Sequence, residues 1–339
     1  MQVARVHGAN DMRLYDEPIP TPGPGEALVR VTAVGICGSD LHWLEEGGIG
    51  NDRVTSPFVL GHECAGVIES GERRERRGQR VAIDPAIACG QCEFCEVGNP
   101  HLCKAMRFAG HYPVDGALRQ YLTWPERCLV PLPESITDVE GALLEPLGVG
   151  LYSVELGQVR PGMSVGVFGC GTIGLSILQV AREAGATQLY ATELPGVPHR
   201  IRVAQSFGAT VFEANAGQEA DAIRAATNGR GVDVTFEAAG DPEAVEASIA
   251  AVKPGGRVIL VGIPTVDRIS FTASVARGKD LTIQVVHRMK HTYPHAIQLV
   301  KTGRVDVKTL ATHRFPLAQV AEAYAVGHRR EGLKVVVEP

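Results

Sequence analysis

The sequence has no long apolar run and no excess of basic residues. Nowhere do about eighteen apolar residues follow one another, the length that predicts a membrane-spanning helix. The formal net charge is −5, the isoelectric point is near 6.1, and no basic stripe stands out. We therefore expect neither nucleic acid nor a membrane as a partner, but a small molecule.

A targeting pattern and a repeat are also missing. The N-terminal stretch MQVARVHGANDMRLYDEP has no apolar segment behind positive charge, so the expected compartment is the cytoplasm. In such a reducing setting, clustered cysteines are more often metal ligands or reactive thiols than disulfides. With 339 residues, 45% of them hydrophobic, the chain can bury a large core, and two domains are expected.

The pattern of apolar and polar residues changes near residue 150. Before it, short strand-like runs with Gly and Pro between them predict an irregular β domain; these runs are 26–36, 62–70 and 79–85. After it, six apolar runs alternate with helix-like segments and predict an α/β fold with a parallel, doubly wound sheet. The six runs are 165–169, 188–193, 210–214, 232–238, 257–263 and 281–286. The final run, LKVVVEP, leaves this pattern and is expected to rejoin the first domain, and the charged run 72–80 is expected to be a solvated turn.

A glycine motif follows the first of the six runs. In VGVFGCGTIGLSILQVAREAG the glycines are Gly169, Gly171 and Gly174, and Thr172 and Ile173 lie between them at the start of an apolar helix pattern. Glycines at this spacing let a pyrophosphate approach the backbone at the helix N-terminus, where unpaired N–H groups favour anions. The motif predicts a dinucleotide site.

A carboxylate after the next strand predicts which dinucleotide binds. Glu193 ends the run 188–193, the place of an acidic residue that accepts from a ribose 2′-hydroxyl and repels a 2′-phosphate. This pattern favours NAD over NADP. Arg200 and its neighbour His199 keep NADP open, because an arginine nearby can accept the phosphate.

Four of the eight cysteines stand in one short stretch, CGQCEFCEVGNPHLC. The pattern C-x2-C-x2-C-x7-C can wrap a tetrahedral Zn²⁺, and four thiolates leave no position for water or substrate. The residues are Cys89, Cys92, Cys95 and Cys103. A closed site is a structural one; an iron–sulfur cluster and simple reduced thiols are the alternatives.

A second set of potential metal ligands is scattered along the chain. Cys37 lies in GICGSDLHW, His62 and Glu63 in GHECAG, and Glu145 in LLEPLG. A thiolate, an imidazole and a carboxylate would leave Zn²⁺ a position for water or an alcohol, as in catalytic sites. Taken singly, these residues could equally be a buried thiol, a core histidine and surface carboxylates.

Together these motifs resemble the zinc-dependent medium-chain dehydrogenases. GICGSDLHW, GHECAG, the four cysteines, LLEPLGVG and GCGTIG stand in the family's order, and LLEPL with THRFPL is most similar to the polyol branch, the sorbitol dehydrogenases. The resemblance implies a GroES-like catalytic domain of residues 1–150 and 284–339, with a zinc lobe at about 86–106, and a Rossmann NAD-binding domain of residues 151–283. It also implies two zinc ions per subunit, NAD, and a homotetramer or dimer.

The resemblance also implies roles for the scattered residues. The positions that match the catalytic zinc ligands are Cys37, His62 and Glu63. Glu145 matches a carboxylate that ligates the zinc or holds its water, and Asp40 a residue that orients His62. Ser39 and His42 match a proton relay. The implied reaction oxidises a secondary alcohol of a polyol, sugar alcohol or cyclitol to a ketone, with hydride transfer to NAD.

The substrate is less sharply indicated by the resemblance. Trp43, Phe108 and Arg288 match residues that line the polyol pocket, whereas His287 and Met289 depart from the family's usual aromatic and Tyr. A threonine or vicinal-diol dehydrogenase of butanediol type is therefore an alternative. A non-catalytic dinucleotide-binding protein is a hypothesis of another class, and the ligand and relay residues found together speak against it.

Overall fold

The computed structural model describes residues 1–264 and 266–339, and these form two compact units. The first unit is Met1–Glu145 with Tyr293–Pro339, and the second is Pro146–Thr292. The limits predicted from the sequence are 150/151 and 283/284. No helix in the described part of the chain is both long and apolar enough to cross a membrane.

Strands make up much of both units. The strands are β1 (Gln2–Gly8), β2 (Asp11–Asp16), β3 (Glu26–Gly35), β4 (Gly48–Ile49), β5 (Asp52–Arg53), β6 (Phe58–Val59), β7 (Glu63–Ser70), β8 (Arg80–Ile83), β9 (Ala86–Ile87), β10 (Arg107–Phe108), β11 (Tyr121–Pro125), β12 (Leu129–Pro131), β13 (Ser164–Phe168), β14 (Gln188–Glu193), β15 (Thr210–Glu213), β16 (Val232–Glu237), β17 (Val252–Leu260), β18 (Thr282–Val285), β19 (Ala311–Pro316) and β20 (Lys334–Glu338).

The helices connect these strands. They are α1 (Gly38–Glu46), α2 (Glu93–Glu96), α3 (Asp138–Ala142), α4 (Leu144–Gly157), α5 (Thr172–Glu183), α6 (Pro198–Ser206), α7 (Gln218–Ala226), α8 (Pro242–Ala251), α9 (Ala273–Gly278), α10 (Tyr293–Lys301) and α11 (Val320–His328).

The first unit is built on a seven-stranded, mainly antiparallel sheet. Its order is β12-β8-β7-β3-β20-β19, and β11 pairs with β3 as well. Buried and less buried residues alternate along much of β3, as expected for a strand with one face on a core. The predicted return of the C-terminal run is confirmed, because β20 pairs antiparallel with β3. Most of the charged run 72–80 forms an exposed turn between β7 and β8, and its last residue, Arg80, is the first residue of β8.

The second unit contains the predicted parallel sheet. Its six strands are all parallel in the order β15-β14-β13-β16-β17-β18. Every residue of β13 and β16 is buried, because helices cover both faces of such a sheet. The strand order reverses between β13 and β16, and ligands of this fold bind at the carboxyl ends of the strands at that point.

Candidate metal and cofactor sites

The four clustered cysteines come together in a small lobe of the first unit. Strands β9 and β10 pair at its base, and Cys92 is the residue before α2. All four sulfurs lie within 4.8 Å of one another; Cys92 Sγ to Cys95 Sγ is 3.5 Å, and Cys89 Sγ to Cys95 Sγ is 4.0 Å. A tetrahedral zinc site with Zn–S bonds of about 2.3 Å requires S–S separations near ~3.8 Å. The lobe therefore fits a zinc ion.

Backbone N–H groups favour the thiolate form of two of these cysteines. The N–H of Cys95 is the main cause that lowers the pKa of Cys92 to about 6. The N–H of Cys89 donates to Cys103 Sγ at 3.3 Å and lowers the pKa of that thiol. Thiolates are the form that binds metal.

A second cluster of potential ligands forms where two strands of the first unit meet. Cys37 precedes α1 shortly after β3 ends, and Glu63 begins β7, with His62 just before it. Because β3 and β7 are antiparallel neighbours, with Gly35 opposite Glu63, the end of one strand lies beside the start of the other. One ligand atom from each of the three side chains lies within 4.8 Å of the others.

Asp40 fixes the geometry around this cluster. Its Oδ2 accepts from the backbone N–H of Cys37 at 3.0 Å, and its Oδ1 lies 3.4 Å from His62 Nδ1. A carboxylate on the Nδ1 side favours Nε2 as the nitrogen of His62 that would bind a metal. Burial lowers the pKa of His62, but the charge and hydrogen bonds of Asp40 and Cys37 outweigh it, and the pKa rises well above its usual value. An environment that favours a charged imidazolium also favours a metal cation.

Glu63 is held by a lysine from the other end of the chain. Lys334 Nζ donates to Glu63 Oε1 at 2.7 Å and to the carbonyl of Ile36 at 2.9 Å. The second oxygen, Oε2, is buried and has no hydrogen-bond partner among the described residues. A buried carboxylate oxygen without a partner is costly unless something binds it, so this oxygen fits a metal ligand.

Glu145 lies near this cluster without joining it. It lies in the first turn of α4 and is 5% exposed. Burial raises the pKa of Cys64, and the largest charge contribution to that rise comes from Glu145, followed by Glu63. Its carboxylate is therefore close to the segment that carries His62 and Glu63. Direct ligation and water binding both stay predictions for Glu145.

The two residues of the predicted proton relay lie on one helix. Ser39 and His42 are three positions apart on α1, a spacing that places side chains on the same face. His42 Nδ1 lies 2.8 Å from Glu46 Oε1. Because a carboxylate only accepts, His42 Nδ1 donates to Glu46, which leaves Nε2 as the nitrogen able to take up a proton.

The predicted substrate residues have different surroundings. The Phe108 ring centroid lies 5.2 Å from that of His62, so Phe108 borders the ligand cluster. Trp43 is only 1% exposed and packs edge-on against Phe58 in the core of the first unit. Arg288 lies in the second unit with a positive φ of 62°, a conformation that is strained for a side chain of its size. Substrate binding by these residues stays a prediction.

The glycine motif forms the turn from β13 into α5. Gly169 has a φ of +100°, and a Cβ at Gly174 would lie 1.9 Å from the carbonyl oxygen of Gly169, so both positions require glycine for the fold. Gly171 is different. It precedes α5 with an ordinary φ of −72°, and a Cβ there would meet nothing within 4 Å. That open space beside a helix N-terminus fits a dinucleotide phosphate.

Glu193 lies beside this turn, at the carboxyl end of β14. Its Oε2 accepts from the backbone N–H of Cys170 at 3.0 Å, and its Oε1 accepts from the N–H of Leu194 at 2.8 Å. Arg200 Nη1 lies 3.7 Å from Glu193 Oε2. The carboxylate is thus directed toward the glycine turn, and the guanidinium is close enough to partly offset its charge.

Comparison with known proteins identifies the family. The alcohol dehydrogenase GroES-like domain matches residues 23–134, and the zinc-binding dehydrogenase domain matches residues 172–302. Over 345 aligned residues the chain is 36% identical to sorbitol dehydrogenase of Bacillus subtilis (strain 168), covering 100% of this chain and 97% of that protein. The chain belongs to the zinc-dependent medium-chain dehydrogenase family. Human sorbitol dehydrogenase is 37% identical, with 98% of this chain and 94% of that protein covered.

Solved structures of this dehydrogenase family have the same fold as the chain. L-idonate 5-dehydrogenase from Escherichia coli K-12 matches with a TM-score of 0.91 at 28% identity, covering 100% and 98% of the two chains. 2R,3R-butanediol dehydrogenase from Bacillus subtilis matches with a TM-score of 0.87 at 28% sequence identity, and the match covers 100% of this chain and 99% of that one. A zinc-binding dehydrogenase from Sinorhizobium meliloti 1021 bound to NADP matches with a TM-score of 0.89 at 29% sequence identity, and the match covers 100% of this chain and 99% of that one.

Membership of this dehydrogenase family accounts for both clusters of potential metal ligands. The chain is a zinc-dependent, NAD-linked alcohol dehydrogenase with a GroES-like domain and a Rossmann domain. The four-cysteine cluster is consistent with a structural zinc, and the cluster of Cys37, His62 and Glu63 with a catalytic one. The donor sets fit those uses, since four thiolates close a tetrahedron and three mixed ligands leave it open.

Two residues around the cluster of Cys37, His62 and Glu63 and the predicted relay were not predicted from the sequence. Glu46 could have been found, because it stands four residues after His42 on a helix. Nothing in the sequence around Lys334 indicates a role at the cluster. It is the first residue of a strand whose pattern predicts only a buried run.

Loss of the structural zinc should destabilise this dehydrogenase. Replacing Cys89 with Ser removes one of four thiolates, and structural zinc binding contributes directly to folding. We expect the zinc content to fall from two equivalents to one and the free energy of unfolding to fall by several kcal/mol. Elemental analysis and thermal unfolding measure both. Cys128→Ala, a buried thiol outside the cluster, is the matched control and should keep both zinc ions; equal zinc content in the two variants would refute the closed site.

Proposed function

We propose that the protein oxidises a secondary hydroxyl of a polyol, sugar alcohol or cyclitol to a ketone, with NAD⁺ as the hydride acceptor. The similarity to sorbitol dehydrogenases over the whole chain carries this proposal. The cluster of Cys37, His62 and Glu63 supports it, because a non-catalytic dinucleotide-binding protein needs no open metal site.

The first-unit residues would bind and orient the alcohol. Cys37, His62 and Glu63 would hold the catalytic zinc, and Glu145 would ligate it or hold its water. A zinc ion in an open site supplies a Lewis acid that lowers the pKa of a bound hydroxyl toward neutrality. Phe108, which borders His62, would limit access of water on that side.

Residues on α1 would remove the hydroxyl proton. Ser39 Oγ can accept a proton and donate its own, and His42 Nε2 can take it up because Nδ1 already donates to Glu46. His42 is 21% exposed and Glu46 49%, so the proton leaves α1 at its solvent side. Histidine suits this task because its unperturbed pKa is close to neutral.

Glu193 would set the preference for NAD over NADP. Its charge should repel a 2′-phosphate, while Arg200 would attract one. Replacing Glu193 with Gln keeps an acceptor for Cys170 and removes the charge. We expect the ratio of kcat/KM for NADP⁺ to that for NAD⁺ to rise at least about tenfold. Steady-state kinetics with both cofactors measure this ratio, and adding Arg200→Ala should reverse part of the gain. An unchanged ratio in Glu193→Gln would refute the assignment.

A vicinal diol is the second candidate substrate, favoured by the match to 2R,3R-butanediol dehydrogenase. The deciding experiment is a panel of NAD⁺-reduction assays on sugar alcohols, cyclitols, vicinal diols and threonine, with zinc measured on the same sample. Highest kcat/KM on a polyol supports the proposal, and highest kcat/KM on a small diol or threonine replaces it. Two zinc equivalents without turnover on any alcohol would refute both.

We also propose that the protein is cytoplasmic and that it forms a homo-oligomer, either a tetramer or a dimer. The second unit supports self-association, because β18 is an edge strand of its sheet and large apolar side chains between residues 263 and 285 are exposed. They include Ile263 at 49%, Val266 at 69%, Phe271 at 38% and Val285 at 64%. Large exposed apolar patches mark interaction surfaces. Light scattering after gel filtration gives the mass, and a monomer at micromolar concentration would exclude the oligomer.

A further inference from the structure

Lys334 and Glu63 form a buried ion pair at the catalytic cluster. Lys334 is 5% exposed and Glu63 is 0% exposed, and their contact is 2.7 Å. Removing two charges from water costs several kcal/mol, so a pair like this often adds little to stability compared with apolar side chains.

The ion pair gives the two oxygens of the Glu63 carboxylate different surroundings. Oε1 of Glu63 accepts from Lys334, and Oε2 is left without a hydrogen-bond partner among the described residues. Lys334 is itself fixed, because its Nζ also donates to the Ile36 carbonyl. The backbone beside it is fixed as well, since the Ile36 N–H donates to the Val335 carbonyl at 2.9 Å. The ammonium therefore cannot follow Glu63 if the carboxylate turns.

Space around the carboxylate is also restricted. A Cβ at Gly35 would lie 2.1 Å from Glu63 Oε2, so the carboxylate occupies the room that a side chain at this position would fill. The strand pairing of β20 with β3 places Val336 opposite Gly35 and brings Lys334 to the same place. Three parts of the chain thus determine which oxygen of Glu63 remains available.

We propose that Lys334 is a positioning residue that restricts Glu63 to one metal-binding oxygen. With Oε1 bound by the ammonium, only Oε2 is offered to the metal. A carboxylate free of Lys334 could bind through both oxygens and fill the position that the alcohol needs. This inference rests on the proposed catalytic zinc site of Cys37, His62 and Glu63.

The test replaces the catalytic zinc with Co²⁺, whose visible absorption weakens as its coordination number rises. In Lys334→Met, a side chain of similar length without charge, we expect weaker absorption, slower metal release to a chelator, and turnover lower by about tenfold or more. Lys334→Arg should restore the wild-type spectrum, since a guanidinium can still occupy Oε1. A wild-type spectrum in Lys334→Met would overturn the proposal, as would faster metal release.

Two further variants separate positioning from folding. Lys279 donates to the carbonyls of Ile249, Ala250 and Val252, far along the chain from the cluster, so Lys279→Met should lower the melting temperature and leave the Co²⁺ spectrum unchanged. Glu63→Gln offers only one carbonyl oxygen. At saturating Co²⁺ we expect its absorption intensity to match wild type even if Lys334→Met does not fold; a stronger absorption would show that Glu63 normally binds through both oxygens and overturn the proposal.

The same samples distinguish a failure of the inference from a failure of the proposed function. If wild-type protein binds metal only at the four cysteines, the catalytic site itself is absent. If it binds two metals and Lys334→Met matches it in spectrum and release rate, only the role of Lys334 is wrong.

Discussion

Replacing Cys37 with Ala is expected to lower kcat/KM for alcohol oxidation by at least about a thousandfold. The thiolate is one of three side chains in the open cluster, and its loss should release the metal from it. Lewis-acid stabilisation contributes several kcal/mol, and each ~1.4 kcal/mol corresponds to a factor of about ten in rate. The glycine turn lies in the second unit, so NAD affinity should stay close to wild type.

The measurements are turnover, zinc content and NAD affinity on one preparation. Cys64→Ala is the matched control, because Cys64 is a buried thiol two residues from His62 that does not belong to the cluster. The control should retain two zinc ions and most of its activity. Turnover that survives in Cys37→Ala, or is lost equally in Cys64→Ala, would refute the proposed ligand role.

Replacing Gly171 with Asp is expected to weaken NAD binding by about a hundredfold or more. A side chain at this position meets no protein atom within 4 Å, and aspartate is a favoured residue before a helix, so the fold should tolerate it. The added carboxylate would face the pyrophosphate at the N-terminus of α5. Like charges in close contact cost several kcal/mol, and ~1.4 kcal/mol is a tenfold change in affinity.

Gly171→Asn separates charge from size, since it adds a neutral side chain of nearly the same shape. Fluorescence titration with NADH should show a much smaller loss for Asn than for Asp, and both variants should melt close to wild type. A third variant, Gly174→Ala, should lose NADH binding for a different reason, because its Cβ would clash with the carbonyl of Gly169 and disturb the fold. Equal NADH affinity in wild type and Gly171→Asp would show that no phosphate binds at this turn.

Much of the fold could be predicted because its signals are local. All residues of β13 and β16 are buried; β13 is a short, mainly apolar run, β16 alternates apolar and polar residues, and the glycine motif marks the turn that follows β13. The start of β17 was predicted wrongly. It begins at Val252, whereas the sequence indicates residue 257, because Lys253-Pro-Gly-Gly has the composition of a turn.

The site could be predicted only in part for the same reason. Cys37, His62 and Glu63 lie in short motifs with recognisable residue types, so the cluster could be anticipated. Lys334 could not, because its partner is far away in sequence and a lysine at the start of a strand usually faces water. The pairing of β20 with β3 creates this contact, and no local pattern specifies it.

That pairing also sets when the site can be assembled during synthesis. Strand β3 lies in the middle of the sheet, and β20 covers its edge on one side. Until residues near 338 have left the ribosome, the nascent chain exposes an unpaired strand edge next to Cys37, and Glu63 has no cation beside it. The open cluster of Cys37, His62 and Glu63 therefore reaches the geometry described here only after β20 has paired with β3, and a chain that stops before β20 would leave Oε1 of Glu63 without the Lys334 ammonium.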